Sequence, residues 1–148
     1  MIKFKIITPE KIVIEEEVYQ ATLPVLGGEV TILSNHIPYI GALRAGEIIF
    51  RKKQNEEETN LATSGGFVEF HNNVLSILAD TAERAEEIDL ARAEEARERA
   101  EALKKERLTM DDEEYARISA LLEKELTRVQ VARKHHTRRG ISLGNNTL

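Results

Sequence analysis

Four histidines, His36, His71, His135 and His136, and no cysteine are all that this 148-residue chain offers as imidazole or thiolate chemistry. No pair of these histidines has the four-residue spacing around a glutamate that a helical zinc site uses. The missing cysteines exclude disulfides, thiolate nucleophiles and Cys-based zinc sites. The chain also lacks a nucleophile elbow, a Gly-rich phosphate loop followed by Lys and Ser or Thr, and a dinucleotide fingerprint. A stand-alone enzyme is therefore not expected. What remains is charge. Lys124, Arg128, Arg133, Lys134, Arg138 and Arg139, with His135 and His136 among them, face a single acid, Glu125. Such a run either meets an acidic partner or is a solvated helix end whose positive charge suits the helix dipole. Asp89, three residues before Arg92, reads by itself as a helix cap that accepts N–H bonds from the next turn, with Arg92 pairing locally.

The elements that would position these residues fall into two parts. All three prolines precede Tyr39, and no Gly or Pro occurs between Phe67 and Arg139. In the first part Ile2, Phe4 and Ile6 alternate with Lys3 and Lys5, the period of a strand with one wet face. Further strands are expected at 18–23, 30–33, 47–51, 60–63, 67–70 and 74–78, and short strands at this spacing make a sandwich or barrel. Asn72-Asn73 suits a tight hairpin turn, Gly27-Gly28 and Gly65-Gly66 suit other corners, and Glu56 to Glu58 reads as an exposed hairpin tip.

The second part has helical periodicity. Ala91, Ala93, Ala96, Ala100 and Leu103 place small apolar groups along one face. Glu94 with Arg97, Glu95 with Arg99 and Glu101 with Lys105 are expected to pair on the others. This helix should stop near Leu108. Thr109 with Asp112 forms one capping box for the next helix, and Asp111 with Glu114 forms a competing register. Tyr115, Ile118, Leu122, Leu126 and Val129 then repeat at helical spacing, so the two helices should pack as an antiparallel hairpin. The expected organisation is a β-sandwich over residues 1–85, a helical hairpin over 86–139 and a disordered tail over 140–148.

Composition limits the class. The chain is 41% hydrophobic and 32% charged, a soluble globular profile. No apolar run approaches the ~20 residues of a membrane span, and MIKFKIITPE lacks the apolar core of a signal peptide, so a cytosolic compartment without direct membrane insertion is expected. The net charge of −5 argues against a general nucleic-acid binder.

Four segments carry a resemblance in the same order and at similar spacings: GGEVTILSNHIPYIGALRAGE, TSGGFVEF, NNVLSILADTAERAEEID and LARAEEARERAE. Together they resemble the epsilon subunit of the F-type, proton-translocating ATP synthase. His36 and Pro38 match a His-x-Pro loop motif, and Ala79 to Arg84 match a strand-to-helix junction reading Ala-Asp-Thr-Ala-x-Arg. The resemblance implies an N-terminal flattened antiparallel β-sandwich followed by a C-terminal antiparallel two-helix hairpin. It also implies a non-catalytic rotor subunit. The sandwich would dock on the gamma subunit and the c-ring. The helices would either fold down or extend along gamma toward the alpha and beta subunits and block hydrolysis.

Several residue roles follow only from that resemblance. Ile88, Asp89, Arg92 and Ala93 match a motif of epsilon subunits that bind ATP, and Glu83 and Arg99 match further positions attributed to that site. On the second helix Arg128 is a match and Lys124 stands where a second Arg is common, losing the bidentate fork. ATP is then a regulatory ligand, with no cofactor required. Arg128, Arg133 and Lys134 would make the inhibitory contacts in the extended form. Glu29, His36 and Pro38 would make rotor contacts, against the plainer reading of His36 as a loop-fixing hydrogen bonder and Glu29 as a surface charge. The competing class is a generic adaptor with a β domain and a charged helical hairpin. A third reading, an RNA contact at the basic end, lacks exposed aromatics to stack bases, with only 4 Phe and 3 Tyr in the chain.

Overall fold

A computed structural model of the chain describes residues 1–144, which fall into two compact units meeting at Arg84 and Ala85. The first contains ten strands: β1 (Ile2–Ile7), β2 (Ile12–Val18), β3 (Gln20–Val25), β4 (Gly28–Leu33), β5 (Tyr39–Leu43), β6 (Gly46–Arg51), β7 (Thr59–Thr63), β8 (Gly66–His71), β9 (Val74–Ala79) and β10 (Ala82–Arg84). They form two layers, β4-β3-β6-β7-β10 and β5-β8-β9-β1-β2, joined where Val25 of β3 pairs with Leu43 of β5. Every pairing is antiparallel except β1 with β9, which run parallel. Alternate residues of the strands point inward, so Ile2, Phe4, Ile6, Leu23, Ile48, Phe50, Leu61, Phe70, Leu75 and Ile77 become a dry interior. Phe4 and Phe50 meet across it with ring centroids 5.2 Å apart.

Differences from the sequence expectation have local causes. The single strand expected over 18–23 is two strands broken at Tyr19. Inward positions step from Val18 to Ala21, three residues instead of two, and the Tyr19 N–H donates to the Arg51 carbonyl at 2.8 Å. β2, β5 and β10 were not foreseen, because IVIEEEV is masked by its charges, YIGAL is interrupted by Gly41 and β10 has only three residues. The expected turn at Asn72-Asn73 is present, with φ of 50° and 58° at its two residues. Gly66 is required where it stands: φ is 142°, and a Cβ there would lie 2.0 Å from the Leu78 carbonyl oxygen.

The second unit begins with a 3₁₀ turn, Ala85–Glu87, and continues into α1 (Leu90–Lys104) and α2 (Asp112–Gly144), joined through a 3₁₀ turn at Arg107–Thr109. α1 ends four residues before the expected Leu108, which is fully exposed in the connection. Of the two capping registers the Asp111 one is used, its Oδ1 accepting the Glu114 N–H at 2.7 Å, while the Thr109 hydroxyl turns back to the Glu106 carbonyl. Ala93 and Ala100 are buried, but Ala91 and Leu103 are exposed, so the α1 seam is narrower than expected. Opposite it α2 presents Ile118, Leu122, Glu125, Val129 and Ala132 at three- and four-residue steps, all buried. The pairing expected of Glu94 with Arg97 is replaced by two others. Arg97 reaches Glu101 at 2.9 Å, and Glu94 accepts from Arg133 of α2, a cross-helix pair consistent with the antiparallel register. Residues 140–144 continue α2 where a disordered tail was expected, and 145–148 lie outside the described residues.

Candidate functional site

Two sets of residues were expected to carry function, one on each unit. In the first unit the chain between β4 and β5 is tied down by its own backbone and by the turn at Asn73. Asn35 adopts φ 65°, its N–H donates to Asn73 Oδ1 at 2.6 Å, and the Asn73 side-chain amide donates back to Asn35 Oδ1 at 3.2 Å. His36 Nδ1 donates to the Ile37 carbonyl at 2.7 Å, and its ring stands edge-on to Phe70, with centroids 5.9 Å apart. His36 therefore orders the loop that presents Ile37 and Pro38 outward. Glu29 is exposed at the other end of β4, roughly 13 Å along the strand from Leu33 at about 3.3 Å per residue. The three expected rotor-contact residues thus form two separate points.

A larger feature of the same unit escaped the sequence reading. Cross-strand pairing places Ala42 beside Phe67, Phe67 beside Leu78, Leu78 beside Ile7 and Ile7 beside Ile12. This is one apolar row across the outer face of five strands. Phe67 is 67% exposed and Leu78 57%, and Ile40 in the next row is 80% exposed. Neighbours in such a row lie within about 5 Å of one another, so its exposed groups form a continuous strip, which ends at Ala42, where the Ala42 carbonyl accepts from the Leu26 N–H beside the Gly27-Gly28 turn. The available signal was apolar residues on both parities, in Phe67-Val68 and in Ile77-Leu78.

The junction motif holds the corner of this sheet. Thr81 donates to Ser64 Oγ at 2.7 Å and the Asp80 N–H to the Gly65 carbonyl at 2.9 Å, while Gly66 pairs with Ala79. Two motifs distant in sequence, Thr63 to Gly66 and Ala79 to Ala82, are thereby one structural unit.

The residues expected around a nucleotide are divided. Glu83 is half-buried on β10 in the first unit, opposite Ala62. In the second unit Ile88 and Ala93 are buried, and Asp89 caps α1 by accepting the Arg92 N–H at 3.1 Å. Arg92 and Arg99, seven residues apart, share one exposed face of α1. Lys124 and Arg128 share a partly buried flank of α2, and Arg128 Nη1 donates to Glu125 Oε2 at 2.8 Å. Of the other cationic residues expected at the inhibitory face, Arg133 pairs with Glu94 and Lys134 is exposed. A cavity of about 310 Å³ lies elsewhere, at the turn of the hairpin, lined by Glu101, Lys104, Lys105, Arg107, Tyr115 and Leu122. There the Arg107 guanidinium lies 3.7 Å from the centre of the Tyr115 ring.

Residues 1–85 match the family model for the ATP synthase delta/epsilon chain β-sandwich domain, and residues 86–133 match that for the long α-helix domain of the same chain. The chain belongs to the ATP synthase delta/epsilon family. The ATP synthase epsilon chain of Levilactobacillus brevis is 38% identical over 90% of this chain and 95% of its own. That of Herpetosiphon aurantiacus is 41% identical over 93% and 98%. Among solved structures, a chain of the Euglena gracilis mitochondrial ATP synthase superposes with a TM-score of 0.70 at 22% identity, covering 82% of this chain and 75% of that one, which shows the shared fold. As an epsilon-type chain it is a subunit of ATP synthase, and matches running along both units leave the generic adaptor reading without support. Among the described residues no helix is long and apolar enough to cross a membrane.

Proposed function

We propose that this ATP synthase subunit docks on the gamma subunit through the outer sheet face of its first unit and contacts the c-ring through the Gly28-Glu29 end of β4. The observation that carries this reading is the exposed row from Ala42 through Phe67 and Leu78 to Ile12. A face of this kind is unfavourable in water and gains free energy when a partner covers it. The His36–Pro38 loop and Glu29, at opposite ends of β4, add two further contact points for two rotor partners. The subunit would then sit peripherally at the cytoplasmic face of a bacterial inner membrane, or in an organelle-encoded equivalent, coupling proton flow to ATP synthesis without chemistry of its own.

The hairpin is the regulatory element of this proposal. Folded, it holds Arg133 against Glu94; opened, it would release Arg133 and present it with Arg128 and Lys134 to acidic surfaces of the alpha and beta subunits, inhibiting hydrolysis. ATP would favour the folded form, with Ile88, Asp89 and Ala93 toward the base and Arg92, Arg99, Lys124 and Arg128 toward the phosphates. A ligand with that preference shifts the population by its differential affinity. In support, the cations lie on both helices of the hairpin, with Lys124 and Arg128 one turn apart.

Size-exclusion co-migration with a gamma-containing alpha-beta complex tests docking. The native chain should co-elute stoichiometrically, and Phe67→Asp, exposed and so harmless to folding, should abolish it. Co-elution unaffected by Phe67→Asp would reject this face. For the ligand, hydrogen exchange of the hairpin should slow with ATP, and no protection at millimolar ATP would remove the sensor.

A further inference from the structure

Glu125 is the anomaly of the hairpin. It occupies a position of the α2 stripe that otherwise carries Ile118, Leu122, Val129 and Ala132, and it is 5% exposed. The α1 positions buried in the same hairpin are Ala93 and Ala100, whose methyl groups offer no hydrogen bond. An ionised carboxylate in such surroundings must find a charge partner, and Glu125 finds it on its own helix, where Oε2 accepts from Arg128 Nη1 at 2.8 Å. A carboxylate oxygen on a guanidinium is the same kind of contact that a phosphate oxygen makes.

We propose that Glu125 is a positioning residue that sets the nucleotide affinity of the hairpin by occupying Arg128 as an internal anion. The inference rests on the reading that ATP phosphates engage Lys124 and Arg128. A phosphate approaching this flank must displace Glu125 from Arg128 or share the guanidinium with it, against the repulsion of a carboxylate held in a poorly solvated seam. Glu125 thereby weakens binding of anything that carries phosphate, and leaves the adenine end of the ligand untouched. The hairpin is tuned to respond only where ATP is abundant.

The test uses the full chain and calorimetric titration with two probes, ATP and adenosine. Glu125→Gln keeps the shape and removes the charge. It should bind ATP roughly ten- to a hundredfold more tightly than the native chain, the size expected when one charged hydrogen bond is freed for a ligand. Adenosine affinity should not change, and the gain should vanish in an Arg128→Ala background, which a purely structural role would not produce. Glu125→Ala should repeat the result, with helical circular dichroism checking that each hairpin remains formed. Native binding of ATP with no gain in either Glu125 variant would overturn the role of Glu125 and leave the nucleotide reading standing. A gain shared by adenosine, or retained without Arg128, would also overturn it. No ATP binding by native chain or variants at several millimolar would overturn both.

Discussion

Phe4, Phe50 and Phe70 fill the interior of the sandwich, whereas in the helical hairpin α1 buries only Ala93 and Ala100, against Ile118, Leu122, Val129 and a buried glutamate of α2. The sandwich therefore hides large side chains that cannot leave without a heavy cost in exposed apolar area, about 25 cal/mol per Å². The hairpin hides fewer large ones, none of them aromatic, and its cross-helix ion pair, Arg133 with Glu94, can be exchanged for other charges. One unit is built to keep its shape and display a face, and the other to be held shut by interactions of modest size. The same division appears at the surface. The apolar row on the sandwich suits a lasting contact, while the cations of α2 suit contacts that are made and broken.

The strongest way to break this comparison is to hollow the sandwich. Phe50→Ala should cost about 3–5 kcal/mol, the usual range for a buried aromatic reduced to a methyl. Hydrogen exchange should then quicken through residues 1–84 while α1 and α2 keep their protection. Equal loss of protection in the hairpin would mean that the units unfold together and that the contrast in packing has no thermodynamic counterpart.

The next effect lies in the seam. Ala100→Leu puts three extra carbons where α1 lies against α2, and overpacking of this kind costs about 1–3 kcal/mol. The sandwich melting transition should stay where it is while hairpin protection falls, and in the assembled ATP synthase the variant should inhibit hydrolysis more strongly. Unchanged protection would show that the helices separate easily enough for the seam to be indifferent to volume.

How much of this was legible in the chain depended on whether a signal was local. The alternation of Ile2, Phe4 and Ile6, the Asn72-Asn73 turn and the alanine spacing each name an element without reference to the rest of the molecule. Tyr19 did not announce a strand break, because that break exists only through its N–H bond to Arg51, far along the chain. The outer apolar row was hidden for the same reason. Phe67 and Leu78 look like core residues until β8 and β9 are in register, and register is a property of two strands. Asp89 and Arg92 were expected at a nucleotide only through the family resemblance, whereas their spacing by itself spoke for a helix cap, and the Arg92 N–H does donate to Asp89. Spacing gave no hint that Glu125, counted only as the lone acid in a basic run, would point into the seam and hold Arg128.

Asp89 gives a smaller and sharper test of how the second unit begins. Its carboxylate satisfies the N–H of Arg92 in the first turn of α1, and loss of such a cap costs about 1 kcal/mol. Asp89→Ala should fray the first turn, seen as faster exchange at residues 90–93, with little change near Ala100. Asp89→Ser, which can still cap, should restore protection. If Asp89→Ser fails to restore it, the carboxylate matters for something other than its hydrogen bond.

The smallest effect separates charge from packing in the hairpin. Arg133 and Glu94 are exposed enough for water and salt to screen them, so the pair contributes at most about 1 kcal/mol to stability. Glu94→Gln should therefore quicken hairpin exchange by no more than about fivefold at 150 mM salt. Its consequence should be felt in the open form, because the folded state no longer holds Arg133 by charge while the extended state keeps whatever acidic contact it makes. Inhibition of hydrolysis should rise about twofold to fivefold for a shift of up to about 1 kcal/mol, and Arg133→Gln should reverse the gain by removing the cation from both states. A rise for Glu94→Gln that persists in the double variant would place the inhibitory contact on other side chains of α2, and would reduce the pair with Glu94 to a surface feature of the folded hairpin.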